Sequence, residues 1–360
     1  MASSATTDVA PAAGPEPAAP AAVSPRVLAW RRFKRDRLAV ASGIFLALLL
    51  FVCFPGAKLY EQLIGHGPND LFPYAVSVGL KPVGPFSSVY AAPQTADEDA
   101  FAFEQTPPRD AAKTFLVLGA DSQLGRDELV RLLYGGRVSL EIAIGAAMLA
   151  ILVGVVLGSI AGYFGGWVDA GVSRFTDLMM AFPVLLFLVV IGTALTHGLT
   201  QWTFGGVLNQ GVFQLIVLIA AFTWFYPARL VRTQVLSLRH REFVEAAQMV
   251  GARSAWILRK HLVPHLVPPL LAYSAVLVAT NIMLEVGATF LNAGIKLPTP
   301  SWGSLLAQTW GSPLAPRTYD PATTQPWLTV WPSLAIFLTV YALNQFSEGL
   351  RDANDPKGSR

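Results

Sequence analysis

The chain has 360 residues, of which 53% are hydrophobic and only 14% charged, with a formal net charge of +3 and a single cysteine. That balance excludes an ordinary soluble domain, where about a quarter of residues carry charge, and it offers no basic excess for a nucleic-acid partner. A lone Cys53 excludes a disulfide framework or a thiolate metal site within one chain.

Residues 1–25 are rich in Ala, Pro and Ser and are expected to form a disordered N-terminus. A basic cluster follows: Arg26, Arg31, Arg32, Lys34, Arg35 and Arg37. It stands directly before an apolar run at 38–54, the positive-inside pattern that keeps the N-terminus cytoplasmic. A cleaved signal peptide is the rival reading. No small-x-small cleavage site follows the run cleanly, so 26–55 is read as an uncleaved anchor helix. Residues 56–117 read as a loosely structured external loop region with many prolines and an acidic run (Asp97, Glu98, Asp99, Glu104).

At 118–140, Leu129, Leu132 and Leu133 have helical spacing, which predicts a short amphipathic helix leading into the second apolar run. Asp127 and Arg131 stand at i, i+4, as a weak surface pair would. Five more runs are long enough to cross a bilayer, which needs about 20 residues: 140–163, 178–195, 212–225, 270–291 and 330–349, the fourth being the shortest. The fold class is therefore an all-α integral membrane protein of six transmembrane helices. Gly165-Gly166 marks a turn after the second span, with Arg174 and Asp177 in the loop beyond it. Pro183 predicts a kink or a broken helix in the third, and 196–211 an external loop. The fifth carries Asn281 and Glu285. An ionisable group at membrane depth marks a functional site by default; its alternative is a hydrated glutamate near the external end or one paired with a neighbouring helix. A short tail, 353–360, completes a core spanning 118–352.

The stretch 238–264 stands apart, a charged, helix-patterned insert between the fourth and fifth spans. Between Arg229 and Pro264 there are seven Arg or Lys against Glu242 and Glu245. With six spans and an internal N-terminus, this loop and the C-terminus fall on the cytoplasmic side, where the charge belongs. Phe243, Ala246, Ala247 and Val250 recur at i, i+3, i+4, i+7 and predict one helical face. Arg239, Arg241, Glu242, Glu245 and Gln248 avoid it. Gly251 suits a left-handed C-terminal cap. A second short helix carries Ile257, Leu258, His261 and Leu262, and Pro264, Pro268 and Pro269 are expected to stop it. A face centred on Ala-Ala-Gly is small rather than greasy, which favours docking of a soluble partner over lying on lipid. His261 and His265 have metal-like spacing but no adjacent Glu completes a zinc motif. The chain also lacks GxxxxGK[ST] and GxSxG, so neither phosphate-loop ATP binding nor hydrolase chemistry has a motif to rest on.

Glu245-Ala-Ala-Gln-Met-Val-Gly251, nine residues, then His261-Leu-Val-Pro264 resembles the EAA loop of binding-protein-dependent ABC importer permeases. His261 and Val263 stand where that pattern carries Ile and Leu, and the His is similar to the peptide-transporter branch. Three further stretches, 118–140, 298–303 (Pro-Thr-Pro-Ser-Trp-Gly) and 326–355, resemble the C-type subunit of dipeptide/oligopeptide (nickel) importers. Ala120, Val130 and Glu348 replace that branch's usual Thr, Ser and Asp. The resemblance covers 26–55 and 116–356.

It implies a type I ABC importer permease fold and a multi-pass subunit of the bacterial plasma (inner) membrane, with both termini cytoplasmic. It implies half of a pore, paired with a second homologous permease and served by two cytoplasmic ATPases and an external solute-binding protein. The substrate that the resemblance implies is a dipeptide or oligopeptide. The chain would be no enzyme and bind no cofactor; ATP and Mg belong to the ATPases. Arg241, Phe243, Val244, Glu245, Ala246, Ala247, Gly251 and Ala252 would form the ATPase-coupling surface, with Arg241 and Glu245 adding charge pairs, or Glu245 only capping its own helix. Asn281 and Glu285 are the translocation-pathway candidates. The competing readings are import of another solute such as nickel, a gradient-driven secondary transporter, which should show paired ionisable residues and an inverted repeat, and a membrane scaffold.

Overall fold

The computed structural model describes residues 25–76, 82–90, 113–121, 124–194, 202, 208–209, 211–310 and 325–354. Its helices are α1 (Pro25–Phe33), α2 (Arg37–Phe51), α3 (Ala57–Ile64), α4 (Glu128–Phe164), α5 (Gly166–Met180), α6 (Val184–Ala194), α7 (Val212–Ala221), α8 (Phe225–Leu238), α9 (Glu242–Met249), α10 (Ser254–Ile257), α11 (Val263–Phe290), α12 (Trp302–Trp310) and α13 (Trp327–Asn354). An antiparallel hairpin, β1 (Ser87–Tyr90) and β2 (Lys113–Leu116), pairs Ser87 with Leu116 and Tyr90 with Lys113.

The bundle is organised around α4, whose 37 residues extend about 55 Å. Asp127 starts it by accepting the backbone N–H groups of Leu129 and Val130 at 2.8 and 3.3 Å, which satisfies two donors that the first turn leaves free. Helices α7, α8 and α11 pack along it. Ile142, Ala146, Ala150, Leu215, Ile219, Phe225 and Leu277 fill the space between them, each no more than 2% exposed. At the far end of α4, Gly154, Gly158 and Gly162 face α8. A Cβ on Gly158 would lie 2.4 Å from the Ala228 carbonyl oxygen, so α4 and α8 meet backbone to backbone, the contact that small residues allow between membrane helices. Two ion pairs then tie α5 to α8: Arg232 donates to both oxygens of Asp169, and Arg229 to Asp177.

Helix α13 packs on α2 and α11, and α12 fits among α4, α11 and α13. Asp36 caps α2 through the N–H groups of Leu38 and Ala39. The basic helix α1 lies against the end of α13, Phe33 edge-on to Phe346 at 5.7 Å. Ser347 of α13 donates to the Ala272 carbonyl of α11 at 2.7 Å. The C-terminal end of α13, α1 and the α9–α10 pair therefore share one end of the bundle.

Four continuous helical runs are long and apolar enough to cross a membrane: Arg37–Ile64, Glu128–Phe164, Ser254–Phe290 and Trp327–Asn354. Two bent pairs complete six, α5 with α6 at 84° and α7 with α8 at 45°. The number matches the sequence expectation, while several boundaries differ. The first run does not end near residue 54. One π turn at Val52–Gly56 accommodates Pro55, and the helix continues to Ile64. The expected amphipathic helix before the second span is simply the first turns of α4. Arg174 and Asp177 lie on helix α5 rather than in a loop. The kink expected at Pro183 is present as the sharp break between α5 and α6. Pro264, Pro268 and Pro269 do not stop the second short helix. A π turn at Leu258–Leu262 joins α10 to α11, and Pro264 falls in the first turn of α11, where no N–H is needed.

The segment between the first two spans also holds more structure than expected. Phe72, Ala75, Val89, Leu116 and Ala120 form a small apolar cluster beneath the hairpin. Its acidic run, the N-terminal 1–24, most of 196–211 and 355–360 lie outside the described residues. Asp127 and Arg131 do not form a surface pair: both are fully buried. Asp127 Oδ2 meets His66 Nε2 at 3.0 Å. Arg131 Nε lies 3.3 Å from Asp121, and its Nη1 donates to the Pro68 carbonyl and to Asn69 Oδ1. Asp121 also receives the Arg126 backbone N–H at 3.0 Å and its Nε at 2.6 Å, while Arg126 Nη2 reaches Gln308 of α12 at 2.7 Å.

Candidate functional site: the helix pair between α8 and α11

Helix α8 ends in a turn at Arg239–Arg241, and α9 then folds back beside it. Arg239 fixes the turn by donating to the Gly162 carbonyl at the end of α4 at 3.2 Å. Val244 and Ala247 sink into an apolar cluster of Val231 and Val235 from α8 with Ile257, Leu262 and Leu266. Phe243 stacks on His265 at 5.3 Å between ring centroids, and Trp256 meets His261 edge-on at 4.8 Å. His265 Nδ1 faces the His261 carbonyl at 2.6 Å. Both imidazoles are thus engaged in holding the pair together.

Gly251 closes α9 as its sequence position predicted. Its φ is +80°, its N–H reaches the Gln248 carbonyl at 2.9 Å, and the Ala252 N–H reaches that of Ala247 at 3.1 Å. This six-residue double bond is a Schellman cap. It turns the chain sharply without a long loop and leaves the end of α9 rigid and protruding.

The expected helical face is rotated. Phe243, Val244, Ala247 and Ala252 form the inward side, Val244 and Ala247 being buried and the other two half-buried. Ala246 and Val250, expected on that face, point outward with Glu245 and Arg241. Met249 and Val250 are 83% and 84% exposed, and Trp256 is 50% exposed. Neither the Arg241 guanidinium nor the Glu245 carboxylate has a hydrogen bond or ion pair among the described residues, so Glu245 does not cap its own helix. Met249 and Trp256 were missed in the sequence, although Glu242, Glu245, Ala246 and Met249 make an equally regular i, i+3, i+4, i+7 stripe. Two stripes of one period compete on a short helix, and only the packing partner decides between them. The outward side of α9 thus presents an uncovered apolar pair, Met249 and Val250, beside Arg241 and Glu245, which have no partner among the described residues.

Residues 154–360 match the family described as binding-protein-dependent transport system inner membrane component, a stretch containing the whole helix pair. The chain belongs to that family. Residues 24–75 match a second model, the N-terminal TM domain of oligopeptide transport permease C, which carries the likeness beyond the residue 55 where the sequence pattern was expected to end. Relatives of this permease include the glutathione transport system permease protein GsiD of Pectobacterium atrosepticum, 30% identical over 91% of this chain and 90% of that one. The oligopeptide transport system permease protein OppC of Haemophilus influenzae is 34% identical over 66% of this chain and 70% of its own length. The dipeptide transport system permease protein DppC of Bacillus subtilis is 30% identical over 91% and 85%. The chain is thus a multi-pass inner-membrane permease subunit of an ATP-driven, binding-protein-dependent importer, and a gradient-driven carrier is not favoured.

The pathway candidates lie elsewhere. Asn281 and Glu285 are both 0% exposed, enclosed between α4 and α11. Asn281 Nδ2 donates to the Ala143 carbonyl at 3.2 Å. Glu285 receives Ser139 at 2.8 Å and Thr289 at 3.0 Å. Both are interior groups of this subunit.

Proposed function

We propose that this permease is one half of the membrane pore of a peptide importer, coupled to an ATPase through α9 and α10. The observation that carries the reading is the exposed Met249–Val250 end of α9, closed by the Gly251 cap and flanked by Arg241 and Glu245, which have no partner among the described residues. An apolar anchor with charges at its rim is what a soluble partner's groove recognises. In this reading α9 sits in such a groove on a cytoplasmic ATPase, and the end of the bundle that carries α1, α9, α10 and the close of α13 faces the cytoplasm with both termini. The five basic residues before α2, with Arg37 at its first position, agree with that orientation. A second, homologous permease completes the pore, a second ATPase binds beneath it, and an external binding protein delivers a dipeptide or oligopeptide. The relatives named as oligopeptide and dipeptide transport permeases support this substrate class. ATP and Mg act at the ATPases. This chain supplies the lever: nucleotide-driven approach of the ATPases pushes α9, and α8 passes the displacement to α4 along the glycine seam.

The test is co-purification. Tagged wild-type chain, extracted from membranes, should carry a second permease and an ATPase with measurable ATP hydrolysis. The variant Met249→Asp/Val250→Asp should reach the membrane in equal amount and lose the ATPase. An ATPase retained by that variant would overturn the docking assignment.

A further inference from the structure

The two hydroxyls that donate to Glu285 each accept a backbone N–H in turn: Ser139 from Trp302 at 3.2 Å and Thr289 from Ile295 at 3.3 Å. One buried carboxylate thereby fixes α4, α11 and the turn from Leu291 to Ser301 that leads into α12. The indole of Trp302, 1% exposed, locks the same joint by donating to the Leu132 carbonyl at 3.2 Å. A carboxylate in a membrane interior is costly unless its lone pairs are used; here the Ser139 bond ties α4 to α11, and the Thr289 bond lies one turn along α11 itself.

We propose that Glu285 is a positioning residue for transport: it makes α4, α11 and α12 move as one body, so that displacement entering α4 from α8 reaches the opposite end of the bundle. The glycine seam at Gly158 and the Ser139–Glu285 joint both lie on the single helix α4, about 28 Å apart along its axis. Between them α4 has no break. The docking pair delivers force to one end of this rod, and Glu285 is the fastening at the other. The inference rests on the importer reading above. The test therefore measures the coupling between the two ends of α4 directly.

The experiment uses the complete importer in lipid nanodiscs. The affinity for its copurifying binding protein is measured with and without a non-hydrolysable ATP analogue. Wild type should bind the protein more tightly with the nucleotide. In Glu285→Ala that gain should shrink by about fivefold or more, the lower end of a typical allosteric coupling. Ser139→Ala should lose part of it and Glu285→Gln should restore part of it. Complex yield and thermal midpoint should stay near wild type in Ser139→Ala and Glu285→Gln. A merely structural role would lower yield or midpoint and leave the ratio alone. If Glu285→Ala does not assemble, Ser139→Ala decides. Full wild-type gain in the assembled variants would overturn the inference while leaving the importer reading intact. No gain in wild type itself would overturn the importer reading, and this inference with it.

Discussion

Two helices of this permease open on nearly the same charged sequence. Arg126-Asp127-Glu128 opens α4, and Arg241-Glu242 opens α9. At α4 the preceding chain folds back, so Arg126 and Arg131 close on Asp121 and Asp127 closes on His66, all within the interior. At α9 the chain folds back only on its apolar side, and Arg241, Glu242 and Glu245 stay exposed, Arg241 and Glu245 with no partner among the described residues. The first set holds the fold together; the second stands at the surface. Charge density in a sequence does not separate these cases, because both patterns satisfy a helix N-terminus equally well. Burial and pairing separate them.

The comparison can be broken from either side. The largest stability effect is expected at Asp121→Ala, which strands two buried guanidinium groups and should cost about 3–5 kcal/mol, read as a lower thermal midpoint in detergent and poor membrane yield. A near-normal midpoint would mean the network is dispensable. Gly158→Leu forces a side chain into the Ala228 backbone and should cost about 1–3 kcal/mol or more. Its distinguishing readout is uptake lost at a yield that still permits assay, since the seam between α4 and α8 opens while the ion pairs of α5 remain. Gly251→Ala places a Cβ in the left-handed region at about 1–2 kcal/mol; a midpoint lowered by no more than this, with weakened ATPase recovery, would show that the cap serves the docking element. The smallest stability effect belongs to Glu245→Lys, within about 0.5 kcal/mol of wild type. Its uptake should nevertheless fall about tenfold, the effect of one lost interface contact. Unchanged uptake there would remove Glu245 from the docking surface.

Some of this was legible in residues alone. Six apolar runs fixed the class, because nothing but a bilayer accommodates that much unbroken hydrophobicity in one chain. The position of the charged insert between the fourth and fifth runs, and the place where Gly251 ends its first helix, followed from local rules of cap and charge. Tertiary structure decided the rest. It chose which of two stripes on α9 faces α8, since both have the helical period. It carried helices through Pro55 and Pro264, because π turns at Val52–Gly56 and Leu258–Leu262 re-space the backbone beside them. It set Glu285 in an interior joint, because Ser139 reaches its carboxylate only when the folded bundle brings α4 against α11.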